Sequence, residues 1–321
     1  MKSSAIVCFL WESQLGVLRE FFRRQGPITI VTLAPYVSQA LIDLVTEVGG
    51  KLFIMDQELG DAGAERINAE LVPLQQRLID YLQQPLPSTL ASEDRVQVAK
   101  AVGVRLDAEL PLLLAVLQGL ELAQQSYHLS LMIASEDVMS VAKVAMLWAR
   151  GQGVPSLHMS HALALNDPHT VHAQLTADMH AVYGQRGLEG YLDYGVAAER
   201  MRVTGNPAWD KFAKLRGERA LHNAQLRKQY ELRDSQPIVV FGTTWTSSLT
   251  AHGDEGIFGQ TVGAFIDACE ALRREGVLCN PIIKDRPPNY HFGERRFKEL
   301  LVERGADLQY YFYLVDDGPL W

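Results

Sequence analysis

The stretch that decides the fold is Ala177–Asp210, which reads ADMHAVYGQRGLEGYLDYGVAAERMRVTGNPAWD. Its apolar runs and its helix-period segment predict a strand, a helix and a second strand at Met179–Tyr183, Arg186–Tyr194 and Met201–Thr204. Gly205-Asn206-Pro207 then forms a turn ahead of a new helix near Ala208. Strand, helix and strand in this order make a βαβ unit, and doubly wound proteins bind ligands at the carboxyl ends of such strands.

The same rhythm extends over the rest of the chain. Further runs predict strands at Ala5–Leu10, Ile28–Leu33, Lys51–Met55, Leu129–Ala134, Ser156–Met159, Ile238–Phe241, Leu278–Ile283 and Leu308–Leu314. Because the first two of these runs, Ala5–Leu10 and Ile28–Leu33, are apolar on both faces, they predict a parallel sheet that is covered by helices on both sides. We therefore predict the α/β class with two Rossmann-like, doubly wound domains.

Two regions interrupt this rhythm. Residues 62–125 have a helical pattern, which predicts an insertion of about three helices with breaks near Pro85–Pro87 and at Pro111. The polar segment Arg233–Pro237 predicts a domain boundary, so that the N-terminal domain spans 1–232 and the C-terminal domain 233–321. Three strands and two helices are half of an ordinary doubly wound domain, and we expect the second domain to be incomplete at Trp321.

Composition excludes several classes of protein. The net charge of −8 provides no basic stripe for nucleic acid. Three scattered cysteines favour buried thiols in a reducing compartment, and the apolar run at Ala5–Trp11 is too short for a signal sequence. The sequence therefore predicts a cytoplasmic protein. Without a Walker loop or a G-x-G-x-x-G motif, P-loop and nicotinamide chemistry are not expected.

Candidate catalytic residues follow the predicted strands. Glu12 follows the first strand and Glu136-Asp137 the one that ends at Ala134, where carboxylates can orient a substrate hydroxyl or take its proton. Ser135-Glu136-Asp137 also fits the N-terminal cap of a helix. His161 follows Ser156–Met159 and suits proton transfer or phosphate binding, or a simple hydrogen bond at a strand end.

Candidate phosphate ligands lie in three loops. Thr243 and Thr244 follow one strand, Lys284 and Arg286 the next, and Gly205 and Asn206 offer backbone amides. The H-x-x-H spacing of His158 and His161 invites a zinc interpretation. An offset of three in a strand points to opposite faces, however, so no metal site is expected.

Several of these residues belong to an ordered series: Ser160-His161-Ala162, Ala177-Asp178, Tyr183-Gly184, Val203–Pro207 with Asp210, Phe241–Trp245 and Lys284–Pro287. The series resembles bacterial glycosyltransferases of the GT-B type, particularly the surface-polysaccharide and CDP-glycerol glycerophosphotransferase-like group, which uses CDP- or CMP-activated donors. Arg286 replaces the family's histidine and Ala162 its glycine. Arginine keeps a positive charge for phosphate but cannot donate a proton at neutral pH.

The resemblance implies transfer of a sugar or polyol phosphate from a nucleotide-sugar donor, bound by the C-terminal domain, to a glycan or protein acceptor, bound by the N-terminal domain. It also implies no metal or cofactor, and association with other polysaccharide-assembly proteins at the inner membrane face. Two alternatives remain open. One is an enzyme like the sugar-nucleotide 2-epimerases, and the other is a non-catalytic, truncated transferase whose helices at 62–125 contact a partner.

Overall fold

The computed structural model describes residues 2–83, 92–159, 174–206, 209–243, 255–285 and 293–315. The chain divides into two compact units, Met1–Asp210 and Lys211–Trp321. Each unit contains a parallel sheet with helices, which confirms the predicted α/β class.

The first unit is built on a seven-stranded parallel sheet in the order β3-β2-β1-β4-β5-β6-β7. The strands are β1 (Ser3–Phe9), β2 (Thr29–Thr32), β3 (Lys51–Ile54), β4 (Tyr127–Ala134), β5 (Ser156–Met159), β6 (Met179–Val182) and β7 (Met201–Val203). The order reverses direction between β1 and β4. This is the topological switch point, at which the crevice of a doubly wound sheet opens.

Helices connect the strands of this sheet. They are α1 (Leu15–Gln25), α2 (Gln39–Glu47), α3 (Met55–Glu58), α4 (Gly60–Gln83), α5 (Ser92–Ser126), α6 (Ser140–Gly151), α7 (Gln185–Asp193) and α8 (Asp210–Gly217), which reaches into the second unit. The predicted strand, helix and strand of Ala177–Asp210 correspond to β6, α7 and β7.

Both faces of the sheet are covered, as the uninterrupted apolar runs predict. On β1, Ile6 and Cys8 pack with the buried face of α1 and α2, whereas Val7 and Phe9 pack with α3, α5 and α6. Neighbouring residues of a strand point to opposite faces, so a strand covered on both sides must be apolar at every position.

The helical insertion exists, but α5 runs through Pro111 without the predicted break. A proline inside a helix removes one backbone hydrogen bond and costs about 3 kcal/mol. Leu110 and Leu114, on either side of it, are buried, and this packing offsets the loss. The break near Pro85–Pro87 lies outside the described residues. None of the helices in the described ranges combines the length and the apolar composition that a membrane crossing requires.

The second unit has a three-stranded parallel sheet in the order β10-β9-β8 within its described residues. Its elements are α9 (Arg219–Gln229), β8 (Ile238–Gly242), α10 (Glu255–Arg274), β9 (Asn280–Asp285), α11 (Glu294–Glu303) and β10 (Phe312–Val315). One face of the sheet packs on α10 and α11, where Cys269 and Cys279 are buried free thiols.

The division at Asp210 lies earlier than the predicted boundary at 232. The reason is that α9 packs on the second sheet, where Leu226 and Tyr230 contact a cluster of Leu232, Ile282 and Leu314. Arg227 donates hydrogen bonds of 2.8 Å to the carbonyl oxygens of Arg233 and Gln236. The polar segment Arg233–Pro237 is therefore held inside the second unit, and its composition alone suggested a linker.

Candidate functional site

The loops after β1 and β4 meet at the switch point of the first sheet. The amide of Ser135 donates to the carbonyl of Phe9 at 2.9 Å, and the amide of Trp11 donates to the Ser135 hydroxyl oxygen at 2.8 Å. The indole Nε1 of Trp11 donates to the carboxylate Oε1 of Glu136 at 3.3 Å. These bonds place Glu136 beside the loop that carries Glu12, so two predicted carboxylates lie at the same edge.

Aromatic rings border this crevice. The side chain of Trp11 is 41% exposed, and its ring centroid lies 5.3 Å from that of Tyr36. Burial, followed by the negative charge of Glu136, raises the pKa of Tyr36 to about 12, so its hydroxyl stays protonated at neutral pH. Glu12 is exposed and begins the 3-10 turn that leads into α1. The crevice thus combines an exposed aromatic ring with two carboxylates.

Gln14 is a buried residue that the sequence interpretation missed. Its side-chain Nε2 donates to the carbonyl oxygen of Met159 at 2.6 Å, and its Oε1 accepts a hydrogen bond from the hydroxyl of Ser135. It joins the start of α1 to the ends of β4 and β5. No sequence pattern marks a single glutamine before a helix as buried. Only its position shortly after a predicted strand, at the carboxyl edge of the sheet, could have indicated a role.

A pocket of about 210 Å³ lies at the carboxyl ends of the last three strands of this sheet. Its described lining is Gln14, Val17, Leu157, Met159, Ala181, Tyr183, Thr204, Gly205 and Asn206. Gln14 lines this pocket and accepts a hydrogen bond from Ser135 in the loop after β4, so a buried side chain stands between the pocket and that loop.

Gly205 and Asn206 form the turn after β7 and line that pocket. Gly205 has a φ of +76°, a left-handed conformation that favours glycine. The preceding amide, of Thr204, donates to the carbonyl of Val182 at 3.0 Å, and the amide of Trp209 donates to the carbonyl of Asn206 at 2.9 Å. The two residues are thus placed at the predicted edge, and their role as phosphate ligands stays a prediction.

Asp137 lies away from solvent. It is fully buried and accepts hydrogen bonds from the amides of Thr176 and Ala177, and its other oxygen lies 3.6 Å from the ammonium of Lys143. The N-cap of α6 is Met139, so the cap predicted at Ser135-Glu136-Asp137 is wrong. Because Asp137 joins the loop after β4 to the start of β6, we give it a structural role.

Three further residues are structural: Asp178 of the family-like series and two histidines of the strands, His158 and His180. Asp178 accepts hydrogen bonds from the amide and the hydroxyl of Ser156, at 2.9 and 2.8 Å, which ties the starts of β5 and β6 together. His158 and His180 are buried neighbours on those strands, with 3.3 Å between their Nδ1 atoms. In the described part of the chain, no three His, Cys, Asp or Glu side chains gather as a metal site requires.

The carboxyl edge of the second sheet is organised around Asp285. This buried carboxylate accepts hydrogen bonds from the hydroxyls of Thr243 and Tyr313 and, at 2.9 Å, from the amide of Gly293. Burial and then the bond to Asp285 raise the pKa of Tyr313. Asp285 thus joins the ends of β8 and β9 and the Tyr313 side chain of β10 to the start of α11. In the sequence, the only indication of this role is that Asp285 is an acidic residue shortly after a predicted strand.

The predicted phosphate ligands of the second unit are described in part. The amide of Thr243 donates to the carbonyl of Lys284 at 3.0 Å and its hydroxyl to Asp285, so both of its donors already have partners. Lys284 is half-buried near the end of β9, at the predicted edge. Thr244 and Arg286 lie outside the described residues, as does His161, and their roles stay predictions.

Neither a protein-family model nor a curated protein matches the chain. Solved structures that align with it include the UDP-GlcNAc 2-epimerase of Neisseria meningitidis bound to UDP-GlcNAc, with 11% identity and a TM-score of 0.49 over 99% of this chain and 72% of that one. HepE of Anabaena in complex with UDP-glucose has 12% identity and a TM-score of 0.48, covering 99% and 70%. The UDP-GlcNAc 2-epimerase of Methanocaldococcus jannaschii has 12% identity and a TM-score of 0.46, covering 100% and 75%. With TM-scores below 0.5, these similarities do not assign an activity.

Proposed function

We propose that the chain transfers a sugar or a polyol phosphate from a nucleotide-activated donor to the hydroxyl of a glycan or protein acceptor. The observation that carries the proposal is the crevice at the switch point, where the exposed ring of Trp11 stands beside Glu136 and Glu12. An aromatic ring offers an apolar surface to the face of a sugar, and carboxylates accept hydrogen bonds from its hydroxyls. This combination suits an acceptor sugar.

In the proposed mechanism, Glu136 takes the proton of the acceptor hydroxyl as its oxygen attacks the donor. The half-buried carboxylate is oriented by the indole N–H of Trp11, which fixes the base in place before the reaction. Glu12 is proposed to orient the acceptor by hydrogen bonding. The resemblance of the Ser160-His161-Ala162 element to the GT-B transferases supports a role for His161 as well.

The nucleotide phosphate leaves with the electron pair of the broken bond and needs positive or dipolar groups to stabilise it. We assign this role to the carboxyl edge of the second sheet, with Lys284, Arg286 and Thr244 as the candidate ligands. Asp285 would hold the strand ends on which these ligands depend. No metal or cofactor is expected to take part.

The test begins with calorimetry of the full chain against CMP, CDP, UDP and GDP, which identifies the nucleotide of the donor. Turnover of the matching nucleotide-sugar is then followed with simple glycosides as acceptors. We expect Glu136→Gln to lower the turnover by about 10²- to 10⁴-fold while nucleotide affinity is unchanged, because an amide cannot take the proton. Glu189→Gln, at an exposed carboxylate on α7, is the matched control and should behave as the wild type.

Three results would contradict the proposal. Normal turnover by Glu136→Gln would remove the assigned base. Binding of none of the four nucleotides would favour the non-catalytic assembly module. Inversion at C2 of the donor sugar without any acceptor would replace transfer by 2-epimerisation.

A further inference from the structure

A second pocket, of about 240 Å³, lies at the amino ends of β1 to β4. It is at the opposite end of these strands from the crevice beside Trp11. Ligands of doubly wound sheets bind at the carboxyl ends of the strands, so the proposed transfer chemistry does not use this pocket. Its described lining contains serine, threonine, lysine and tyrosine side chains and neither aspartate nor glutamate.

The first residue of each of the four strands lines the pocket. In the order of the sheet, from β3 to β4, these residues are Lys51, Thr29, Ser3 and Tyr127. Each stands two residues before a buried member of the core that packs on α3, α5 and α6. Alternate residues of a strand point to the same face, so the four side chains form a polar row on one face of the sheet.

Thr29 has a buried hydroxyl for which the fold provides no partner. The residue is only 5% exposed, and among the described residues no group makes a hydrogen bond with its side chain. Thr32, on the same strand, is also buried, and its hydroxyl donates to the carbonyl of Cys8 at 2.7 Å. Buried polar groups nearly always have a partner. The hydroxyl of Thr29 is therefore the group that the pocket presents to a ligand.

Lys51 places a positive charge beside that hydroxyl. It pairs with Thr29 in the register of β2 and β3, and no carboxylate of the described chain forms an ion pair with its ammonium. The amides of Gly49 and Gly50 donate to carbonyls in the last turn of α2, at 3.1 and 2.8 Å, so these carbonyls are already engaged. An ammonium and a hydroxyl side by side are donors that suit an oxygen anion.

The volume of the pocket limits the size of the ligand. A cavity of about 150 Å³ is known to bind benzene. At about 240 Å³, this pocket has room for one ring with an anionic group. We propose that it binds a small organic anion, whose carboxylate or phosphate oxygens lie between Lys51 and Thr29 and whose body lies along Ser3 and Tyr127.

The test uses fluorine NMR on the full chain with 4-fluorobenzoate, 4-fluorophenyl phosphate and the neutral 4-fluorobenzyl alcohol. We expect an anion to bind about three- to tenfold more tightly than the alcohol, because the charge of Lys51 is exposed and partly screened. The tighter of the two anions identifies the group as a carboxylate or a phosphate. Lys51→Met keeps most of the apolar stem and should remove the preference. Lys100→Met, at an exposed lysine of α5 outside the pocket, is the matched control and should keep it.

Two threonines of β2 test the buried hydroxyl. Thr29→Val should weaken anion binding by about three- to tenfold and leave the urea midpoint of unfolding unchanged or higher, because no protein hydrogen bond is lost. Thr32→Val removes the bond to the carbonyl of Cys8, so it should lower the midpoint and leave anion binding unchanged. The two substitutions are identical in chemistry and lie on the same strand.

Three results would overturn the proposal. The first is equal affinity of the wild type for the anions and the alcohol. The second is an anion preference that Lys51→Met leaves intact, which would place the anion elsewhere, including at the proposed donor site. The third is a lower urea midpoint for Thr29→Val with anion binding unchanged, which would give the hydroxyl a role in the fold. None of these results depends on nucleotide binding or turnover, so this proposal and the proposed function fail independently.

Discussion

At the scale of single residues, two buried polar side chains hold the carboxyl edges of the two sheets. Gln14 joins two strand ends to α1 in the first unit, and Asp285 joins the three described strands to α11 in the second. A hydrogen bond to a charged group stabilises by about 1.5–3 kcal/mol, and a buried carboxylate without its donors is strongly unfavourable. Asp285 therefore holds Thr243, Gly293 and Tyr313 in one arrangement.

His180 makes the stability of the first unit depend on pH. Burial, and then the positive charge of Arg200, lower its pKa from 6.5 to about 4. Asp178 and Lys143 also act on it, and His158 contacts its ring. Between pH 6.5 and 4, His180 binds a proton in the unfolded chain but not in the folded chain. The contribution of the neutral His180 to folding stability is therefore complete above pH 6.5 and is lost as the pH falls towards 4. We expect a loss of about 3 kcal/mol in the free energy of unfolding from this residue.

The measurement is urea unfolding of the wild type and His180→Gln at several pH values. Between pH 4 and 6.5, the unfolding free energy should depend less steeply on pH in the variant than in the wild type. The difference in slope should correspond to the uptake of up to one proton on unfolding. The comparison between the two proteins removes the contribution of the other titrating groups. Parallel slopes would show that His180 takes up its proton equally in the folded chain.

At the scale of elements, the sequence predicts most of the strands and helices, for a physical reason. A strand that is buried on both faces, such as β1 from Ala5 onward, has an uninterrupted apolar sequence. The carboxyl edge of the sheet lies where such a run ends. This rule correctly predicted the position of Glu12 and Glu136 at that edge, whereas their catalytic roles stay predictions. Pro111 was misread because tertiary packing outweighs a local preference, and Gln14 was missed because only the tertiary structure shows that it is buried.

The contact of α5 with α3 gives a sharp prediction for two glycines of one helix. A Cβ at Gly119 would lie 2.6 Å from the Cβ of Met55, which is fully buried, whereas a Cβ at Gly103 meets no atom within 4 Å. Gly119→Ala should therefore destabilise the protein by about 1–3 kcal/mol through overpacking, although alanine favours helix. Gly103→Ala should stabilise it by about 0.5–1 kcal/mol. Urea unfolding midpoints of the two variants measure both effects.

Gly103→Ala also serves as the control for Gly119→Ala, because both change the same residue type in the same helix. A gain in stability at both positions would mean that α3 moves away from α5 at little cost. In that case, the packing of Met55 against α5 would not determine the position of α3 relative to the helical insertion.

At the scale of the whole molecule, the two units give a test of where the second one begins. A fragment of Lys211–Trp321 keeps α9 with its Leu226 and Tyr230 contacts, whereas Arg233–Trp321 loses them and also the hydrogen bonds of Arg227. We expect the longer fragment to unfold in one cooperative transition and the shorter one to lack it, because its apolar cluster is exposed. Circular dichroism against urea concentration measures this difference.

A third fragment, Glu218–Trp321, is the matched control, since it removes all of α8 and keeps α9. It should unfold like the longer fragment. A cooperative transition in Arg233–Trp321 would instead support the boundary that the polar segment at 233–237 predicts.

Trp11 also gives the molecule an optical reporter. The emission of an indole depends on its exposure to water and on nearby charge, and this indole is partly exposed and donates its N–H to the carboxylate of Glu136. A sugar that covers the ring would remove water from it and change the wavelength and intensity of its emission. The chain has five tryptophans, so the difference between the spectra of the wild type and Trp11→Phe isolates the signal of this one. Occupancy of the crevice can then be followed by fluorescence before any reaction product has been identified.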